Sequence, residues 1–180
     1  MKKKMTGLLI VLAIGAGVGI WGYTSLFPPK VYSYTVQVEK QVDIEKAIEK
    51  RNPEVDPQIR GIISESVKRY SEQYNLDPAL VISVMAQESD FRYLSKSSKE
   101  CVGLMQINPA VHKEKLKGMS EPEWYHIDKN IKIGCWILSD YIRSSRNIRQ
   151  ALLKYSGGLP GYDRNVLAIY GQIHVEGKEG

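Results

Sequence analysis

The sequence predicts a mainly α-helical domain that is preceded by an N-terminal transmembrane helix and a spacer. Residues 7–27 carry no charged side chain, and from Pro57 onward apolar residues recur at the three- and four-residue intervals of a buried helix face. No pattern after Val38 indicates a substantial sheet. A chain of 180 residues, 43% of them hydrophobic, is sufficient for one domain with appendages.

Residues 1–27 are predicted to form a signal anchor that spans the cell membrane once. The uncharged run within them is 21 residues long, and about 20 are enough to cross the hydrocarbon core of a bilayer. Lys2, Lys3 and Lys4 precede the run, which orients the N-terminus toward the cytoplasm and the domain toward the periplasm or the outside. The alternative is a cleaved signal peptide and a secreted domain, although no good small-residue cleavage site follows the run.

Residues 28–55 are expected to form a juxtamembrane spacer that contains a short helix. Pro28 and Pro29 end the membrane segment because proline cannot continue a helix. Residues 31–38 alternate as a strand would but have no partner strand, so an extended conformation is expected. Residues 39–50 are helix-prone and balanced in charge. The spacer would lift the domain off the membrane.

Residues 56–173 are predicted to form the globular domain, and residues 174–180 a flexible tail. A first helix from Pro57 has one apolar face, composed of Ile59, Ile62, Ile63, Val67, Tyr70 and Tyr74. Asp77 and Pro78 suit the N-cap and first position of a second helix, which would end near Glu88. Later helices are expected to begin at Ser120 with a capping box to Glu123, near Asp128, at Asn147 and near Pro160.

Charge and composition argue against two classes of function. The formal net charge of +5 includes three lysines before the membrane segment, so the remainder is only mildly cationic and has no arginine-rich stripe. Nucleic-acid binding is therefore not expected. The three histidines are scattered and no cysteine-pair or histidine–glutamate zinc motif occurs, so no metal site is expected.

Cys101 and Cys135 both lie in the part that is predicted to be exported. Cysteine pairs in an oxidising compartment commonly form disulfides. Cys101 leads into the loop after Glu88, and Cys135 lies on a helix expected to pack beneath that loop, so a Cys101–Cys135 disulfide is predicted. The alternative is two buried thiols that never meet.

Glu88 lies at the end of an apolar helix and is followed by polar residues at fixed distances. Ser97 comes nine residues later and Gln106 eighteen, closing Gly103-Leu104-Met105-Gln106, and Tyr155-Ser156-Gly157-Gly158 comes far downstream. Cleavage of a glycosidic bond needs an acid that keeps its proton near neutral pH, and desolvation raises the pKa of a carboxyl in this way. The pattern favours Glu88 as that acid; the alternative is an ordinary solvated glutamate at a helix end.

This layout resembles the soluble lytic transglycosylase (SLT-domain) family, lysozyme-like enzymes that cleave the glycan strands of peptidoglycan. The family motif runs Glu-Ser-x-Phe, with a serine nine residues after the glutamate and the glutamine of Gly-Leu-Met-Gln eighteen after it, and this sequence matches it without a gap. The resemblance covers roughly residues 56–173 and implies a goose-type, lysozyme-like helical fold with no cofactor.

The resemblance also implies roles for the matching residues. Glu88 would be the catalytic residue, Ser97 would hydrogen-bond near Glu88 and the substrate, and Gln106 would bind the sugar beside the scissile bond. Gly103 would let the backbone approach the glycan, and Tyr155 would point its hydroxyl at the glutamate or the sugar. Tyr162 either lines the glycan groove or belongs to the core.

Three residues depart from the family pattern, and they put the loop shape in question more than the chemistry. Tyr93 and Glu100 stand where proline and glycine are usual, both in the loop between Ser89 and Gly103. Ser156 replaces the usual asparagine after Tyr155. Met105 and the Asn-Ile-x-Ile-Gly run that starts at residue 130 are interpreted as structural.

The number of acidic residues in the motif favours a mechanism with one catalytic carboxyl over a mechanism with two. Lysozyme-type hydrolysis usually needs two acids, and Asp90, the nearest second acid, is offset from Glu88 by two positions and would point away. The resemblance then implies a carbon–oxygen lyase in which the muramyl 6-hydroxyl attacks and leaves 1,6-anhydro ends. Two alternatives stay open: a goose-type muramidase that admits water, and a catalytically silent peptidoglycan-binding module. Partners would be glycan strands, the membrane and, as a hypothesis, a secretion, conjugation or pilus assembly.

Overall fold

The computed structural model describes residues 42–179, which contain seven helices. They are α1 (Ile44–Arg51), α2 (Pro57–Tyr74), α3 (Pro78–Glu88), α4 (Glu121–Trp124), α5 (Ile127–Arg143), α6 (Ile148–Tyr155) and α7 (Tyr162–Glu179). Strand pairing among the described residues is limited to two isolated bridges, Lys96 to Val102 and Val102 to Ile107. The prediction of a mainly helical domain is therefore confirmed.

The predicted membrane segment (residues 1–27), the extended part of the spacer (residues 31–38) and the last residue of the tail lie outside the described residues. Between residues 42 and 179, no helix combines the length and the apolar character that crossing a bilayer requires.

Local capping determines where most helices begin. The side chains of Asp43, Asp56, Asp77 and Asn147 accept hydrogen bonds from the first backbone amides of α1, α2, α3 and α6. These bonds satisfy donors that a helix start would otherwise leave unpaired. At α4 the Glu123 carboxylate accepts from the Ser120 backbone N–H at 2.8 Å, as the predicted capping box requires. The predicted starts are confirmed to within two residues.

Helix α3 lies at the centre of the domain. Residues 79–86 are all buried, and α3 packs against α1, α2 and α7. Helix α5 packs against α2, α4 and α6, and α6 packs against α7. A helix that is apolar all round needs neighbours on every side. The arrangement therefore places the C-terminal end of α3, which carries Glu88, within a shell of other helices.

Helix α1 belongs to the globular core, which differs from the expectation that residues 28–55 form a spacer. Ile44 and Ile48 are 2% and 0% exposed, and they lie one turn apart on the face that packs against α2 and α3. Arg60 of α2 forms an ion pair with Glu49 at 3.2 Å. Because a separate spacer would leave these isoleucines in water, the domain begins at α1 rather than at residue 56.

Candidate active site

Glu88 is the last residue of α3 and is largely withdrawn from solvent. Burial raises the pKa of its carboxyl from 4.5 to about 7, and a hydrogen bond from Tyr162 opposes part of this rise. Burial favours the neutral acid because water no longer stabilises the charge. A large fraction of Glu88 therefore keeps its proton near neutral pH, which is the property that the sequence analysis required of the acid.

Tyr162 is the side chain that contacts the Glu88 carboxyl directly. Its hydroxyl donates to Glu88 Oε1 at 2.5 Å, and the residue is only 3% exposed. Burial and the neighbouring carboxylate raise the pKa of the phenol far above its ordinary value, so it stays a donor. The sequence analysis left open whether Tyr162 lines the glycan groove or belongs to the core. No local signal in the sequence joins Tyr162 to Glu88, since the contact depends on the packing of α7 on α3 and links residues 74 positions apart.

Tyr155 directs its hydroxyl at the Gly103–Gln106 loop and not at the Glu88 carboxyl. Its hydroxyl donates to the Met105 backbone carbonyl at 2.9 Å instead of to Glu88. Burial raises its pKa well above the ordinary value, and the Glu88 charge raises it further, so the two side chains are electrostatic neighbours. Tyr155 therefore fixes the loop beside Glu88, and Tyr162 makes the contact with the glutamate that was one of the two roles expected of Tyr155. The other role, contact with the sugar, stays a prediction.

Asn130 is the residue that shapes the Gly103–Gln106 loop. It is 1% exposed, its amide donates to the carbonyls of Val102 (3.0 Å) and Trp124 (2.8 Å), and its oxygen accepts from the Met105 N–H at 2.9 Å. A buried amide with all of these bonds made fixes a unique loop conformation. Sequence reasoning interpreted Asn130 as structural but did not connect it with this loop.

Gly103 is required by Asn130, a reason for the glycine that is separate from the glycan approach that the resemblance implies. Gly103 has φ +76°, and a Cβ built there would lie 2.2 Å from Asn130 Nδ2. No real contact is that short, and the conformation itself disfavours a side chain. The space that glycine leaves is therefore occupied by protein.

Ser89 and Met105 connect the same loop to the core. The buried Ser89 hydroxyl donates to the Leu104 carbonyl at 2.8 Å, which joins the end of α3 to the loop. Met105 is fully buried, and a Cβ at Gly134 would lie 2.2 Å from its sulfur. The structural interpretation of Met105 is confirmed. Ser89 is a positioning residue for Glu88 that the motif contained but the candidate site did not include.

Ser97 and Gln106 stabilise the loop through backbone contacts. The Ser97 hydroxyl accepts from the backbone N–H groups of Lys99 (3.3 Å) and Cys101 (3.1 Å). Gln106, at φ +45°, donates from Nε2 to the carbonyls of Ser95 (3.2 Å) and Gly103 (3.0 Å). Within the described residues neither side chain hydrogen-bonds to Glu88, and the substrate contacts that the resemblance implies for Ser97 and Gln106 stay predictions.

Asp90 is engaged elsewhere and does not pair with Glu88. Its carboxylate accepts from Arg51 Nε at 3.1 Å, and its backbone carbonyl accepts from Asn52 Nδ2 at 2.8 Å. Both partners lie at the C-terminal end of α1. The phenol of Tyr162, and no second acid, is the hydrogen-bond partner of Glu88 among the described residues.

The predicted Cys101–Cys135 disulfide is wrong, because both cysteines are free thiols. Cys135 is completely buried on α5, where burial raises the pKa of its thiol. Cys101 is partly exposed, and Ser97 fixes its backbone by accepting from its N–H and donating to its carbonyl at 2.9 Å. The loop thus holds Cys101 at its surface while Cys135 packs inside the core.

Comparison with known proteins identifies the family. The model of the transglycosylase SLT domain matches residues 65–170, which is more than half of the chain and includes Glu88, Gln106 and Tyr162. A protein named "Transglycosylase" from Enterobacteria phage PRD1 is 34% identical over 94 residues, which are 52% of this chain and 34% of that protein. The match thus spans about a third of the relative's length. The chain belongs to the transglycosylase SLT domain family, and its helical fold fits the lysozyme-like architecture that this membership implies.

Proposed function

We propose that this protein is a peptidoglycan lytic transglycosylase that cleaves the β-1,4 bond between N-acetylmuramic acid and N-acetylglucosamine. The observation that supports this proposal most strongly is Glu88, whose pKa of about 7 leaves a large protonated fraction at neutral pH. A general acid works best when its pKa lies near the working pH. Membership of the SLT family supports the substrate class.

In the proposed reaction Glu88 acts twice. Its carboxyl first gives a proton to the bridging oxygen, and the bond from that oxygen to the anomeric carbon of the muramyl sugar breaks as the ring develops oxocarbenium character. The carboxylate then accepts the proton of the muramyl 6-hydroxyl while that oxygen bonds to the anomeric carbon. Glu88 ends protonated, and the products are a free 4-hydroxyl and a 1,6-anhydro ring. The Tyr162 hydroxyl stabilises the charged form between the two steps.

The proposed location is outside the cytoplasm, with residues 1–27 as a membrane tether. An uncharged run of 21 residues after three lysines supports this part of the proposal. The hypothesis of a secretion, conjugation or pilus assembly as partner rests on the same tether. Cross-linking through residues 1–55 in intact cells tests it; recovery of no specific membrane assembly would count against it.

The test of the reaction is digestion of purified sacculi followed by mass spectrometry of the released fragments. We expect anhydromuramyl ends from the wild type and none from Glu88→Gln, which has no proton to give. Asp90→Asn is the matched control, because it removes a nearby carboxylate that contacts Arg51 instead of Glu88. Fragments heavier by one water would show hydrolysis of the goose-type muramidase kind. Equal release by wild type and Glu88→Gln would exclude Glu88 as the catalyst.

A further inference from the structure

A cavity of about 220 Å³ lies beside the Gly103–Gln106 loop and has no role in the proposed proton transfers. Gln106 and Tyr155 form its wall on the side of the loop, and Lys99, His112 and Lys154 contribute from other segments. Glu88 does not line it. Because Tyr155 is an electrostatic neighbour of Glu88, the cavity lies next to the proposed catalytic residue without containing it.

The lining of this cavity carries uncompensated positive charge. Lys99 and Lys154 both line it, and no aspartate or glutamate does. Lys154 Nζ donates to the neutral Ser144 carbonyl at 2.8 Å, and no ion pair joins either lysine to a carboxylate within residues 42–174. Lysines nearby are neutralised in contrast: Lys96 pairs with Glu100 at 2.6 Å and Lys115 with Asp140 at 2.6 Å.

The remaining wall is neutral and includes three aromatic rings, those of His112, Tyr141 and Tyr155. The rings of His112 and Tyr141 meet edge to face with centroids 6.4 Å apart, and Tyr141 meets Tyr155 in the same way at 6.4 Å. Burial and the charge of Lys115 lower the pKa of His112, so this side chain is neutral at pH 7. The row of rings offers apolar surface to a bound group, and the two ammonium groups offer charge.

We propose that this cavity binds the peptide stem of a muramyl residue close to the cleaved bond, and that Lys99 and Lys154 contact its carboxylates. This inference rests on the proposed function. In a peptide-bearing strand the sugars are neutral, because each lactyl carboxyl is in amide linkage to a peptide, so the free carboxylates of such a strand are those of the peptide. A site with two lysines that pair with no carboxylate among the described residues, no acid and three aromatic rings matches an acidic peptide better than it matches a neutral sugar.

The test compares two substrates with two double variants. The substrates are peptide-bearing glycan strands and the same strands after an amidase has removed the peptides and the lactyl carboxyl groups that this exposes have been converted to amides, so that the second substrate is neutral. Lys99→Gln/Lys154→Gln removes the two charges of the cavity. Lys68→Gln/Lys132→Gln, at exposed positions of α2 and α5 outside the cavity, lowers the net charge equally and is the matched control. Thermal unfolding of each variant verifies the fold.

We expect the cavity variant to raise KM for peptide-bearing strands roughly 3- to 10-fold, the range that two solvent-accessible ion pairs provide, and to leave KM for peptide-free strands unchanged. The control variant should leave both values unchanged. Equal losses on both substrates, or no loss on either, would overturn the peptide site.

A binding measurement separates this inference from the proposed reaction. In the Glu88→Gln background, calorimetry with short peptide-bearing oligomers and short peptide-free, amidated oligomers requires no turnover. We expect tighter binding of the peptide-bearing oligomer, and loss of that difference in the cavity variant. If wild type cut neither substrate while this binding difference remained, the reaction would be wrong and the peptide site would stand. Equal binding of both oligomers would refute the peptide site.

Discussion

The acidity of a single side chain, Glu88, reflects two opposing influences. Withdrawal from water raises its pKa, and the hydroxyl of Tyr162 lowers it by stabilising the carboxylate. The net value of about 7 lies where a carboxyl can both donate and accept a proton. Burial alone would favour the neutral acid and leave the resulting charge without a donor, so both burial and the Tyr162 hydroxyl are needed if Glu88 acts twice as proposed.

The first prediction concerns the pH dependence of cleavage. Because Glu88 must be protonated in the free enzyme, kcat/KM should be constant below pH 7 and fall tenfold per pH unit above a midpoint of about 7. The rate of release of soluble fragments across this range measures it. A midpoint near the ordinary carboxyl value of 4.5 would show that Glu88 is hydrated during turnover.

Tyr162→Phe tests the opposing influence. Removing the hydroxyl removes the hydrogen bond that lowers the pKa of Glu88, so the alkaline midpoint should move to higher pH. Tyr155→Phe is the matched control, because its hydroxyl bonds to the Met105 carbonyl. A downward shift in the Tyr162 variant would contradict the assigned role.

Glu100 is a residue whose backbone is strained. It has φ +61°, a left-handed conformation that costs a side-chain-bearing residue about 1–2 kcal/mol, and glycine is the usual residue there in the family pattern. Glycine avoids that cost but loses about 0.5–1 kcal/mol of entropy on folding. Glu100→Gly should therefore raise the free energy of unfolding by up to about 1 kcal/mol, as urea denaturation would measure.

Glu100→Ala separates backbone strain from charge in that experiment. It removes the same ion pair with Lys96 but keeps a Cβ at positive φ, so it should not stabilise the protein. If both variants were stabilised equally, the gain would come from the lost carboxylate and not from the backbone.

At the level of elements, α1 carries a prediction that distinguishes a core helix from a spacer. Ile48 is fully buried, and removing a buried aliphatic side chain costs about 2–5 kcal/mol. Ile48→Ala should lower the free energy of unfolding by that amount, as chemical denaturation would measure. Lys46→Ala, on the exposed face of the same helix, should change it little. Equal, small effects would restore the spacer interpretation.

The helices also show which structural features could be predicted from the sequence alone. Helix starts were predictable because Asp77 and Asn147 act on amides two or three residues away. The packing of α1 was not predictable, since nothing local indicates which surface receives Ile48. In the candidate site, too, local features were predictable from the sequence and contacts between distant segments were not. Glu88 could be selected as the candidate acid from an unbroken motif. The contacts of Gly103 were not predictable, because they depend on Asn130, which lies twenty-seven positions later on α5.

For the whole molecule, ionisation of Glu88, the proposed catalytic residue, lowers the free energy of unfolding by an amount that depends on pH. The pKa of Glu88 is higher in the folded state than its ordinary value, so the folded state binds more protons between about pH 4.5 and 7. Stability is therefore lost as pH rises through this window. The full difference, reached above pH 7, is up to about 3 kcal/mol.

Glu88→Gln should remove this dependence. The variant is expected to unfold at higher urea concentration than wild type at about pH 8 and at nearly the same concentration at about pH 4, because both side chains are then neutral. Asp90→Asn again serves as the control. A variant that is less stable than wild type at both values would show that the carboxylate is not a destabilised group.

Glu88 lies at the end of α3, and its hydrogen-bond partner Tyr162 lies 74 positions later, at the start of α7. A nascent or proteolytically clipped polypeptide that stops short of residue 162 lacks both the phenol and the helix that shields the acid. Its glutamate would titrate like any carboxyl in water, and the fragment would be inert. Under the proposed function, competence to cut would thus arrive only after synthesis has passed Tyr162, which would spare a producing cell from damage by shorter copies.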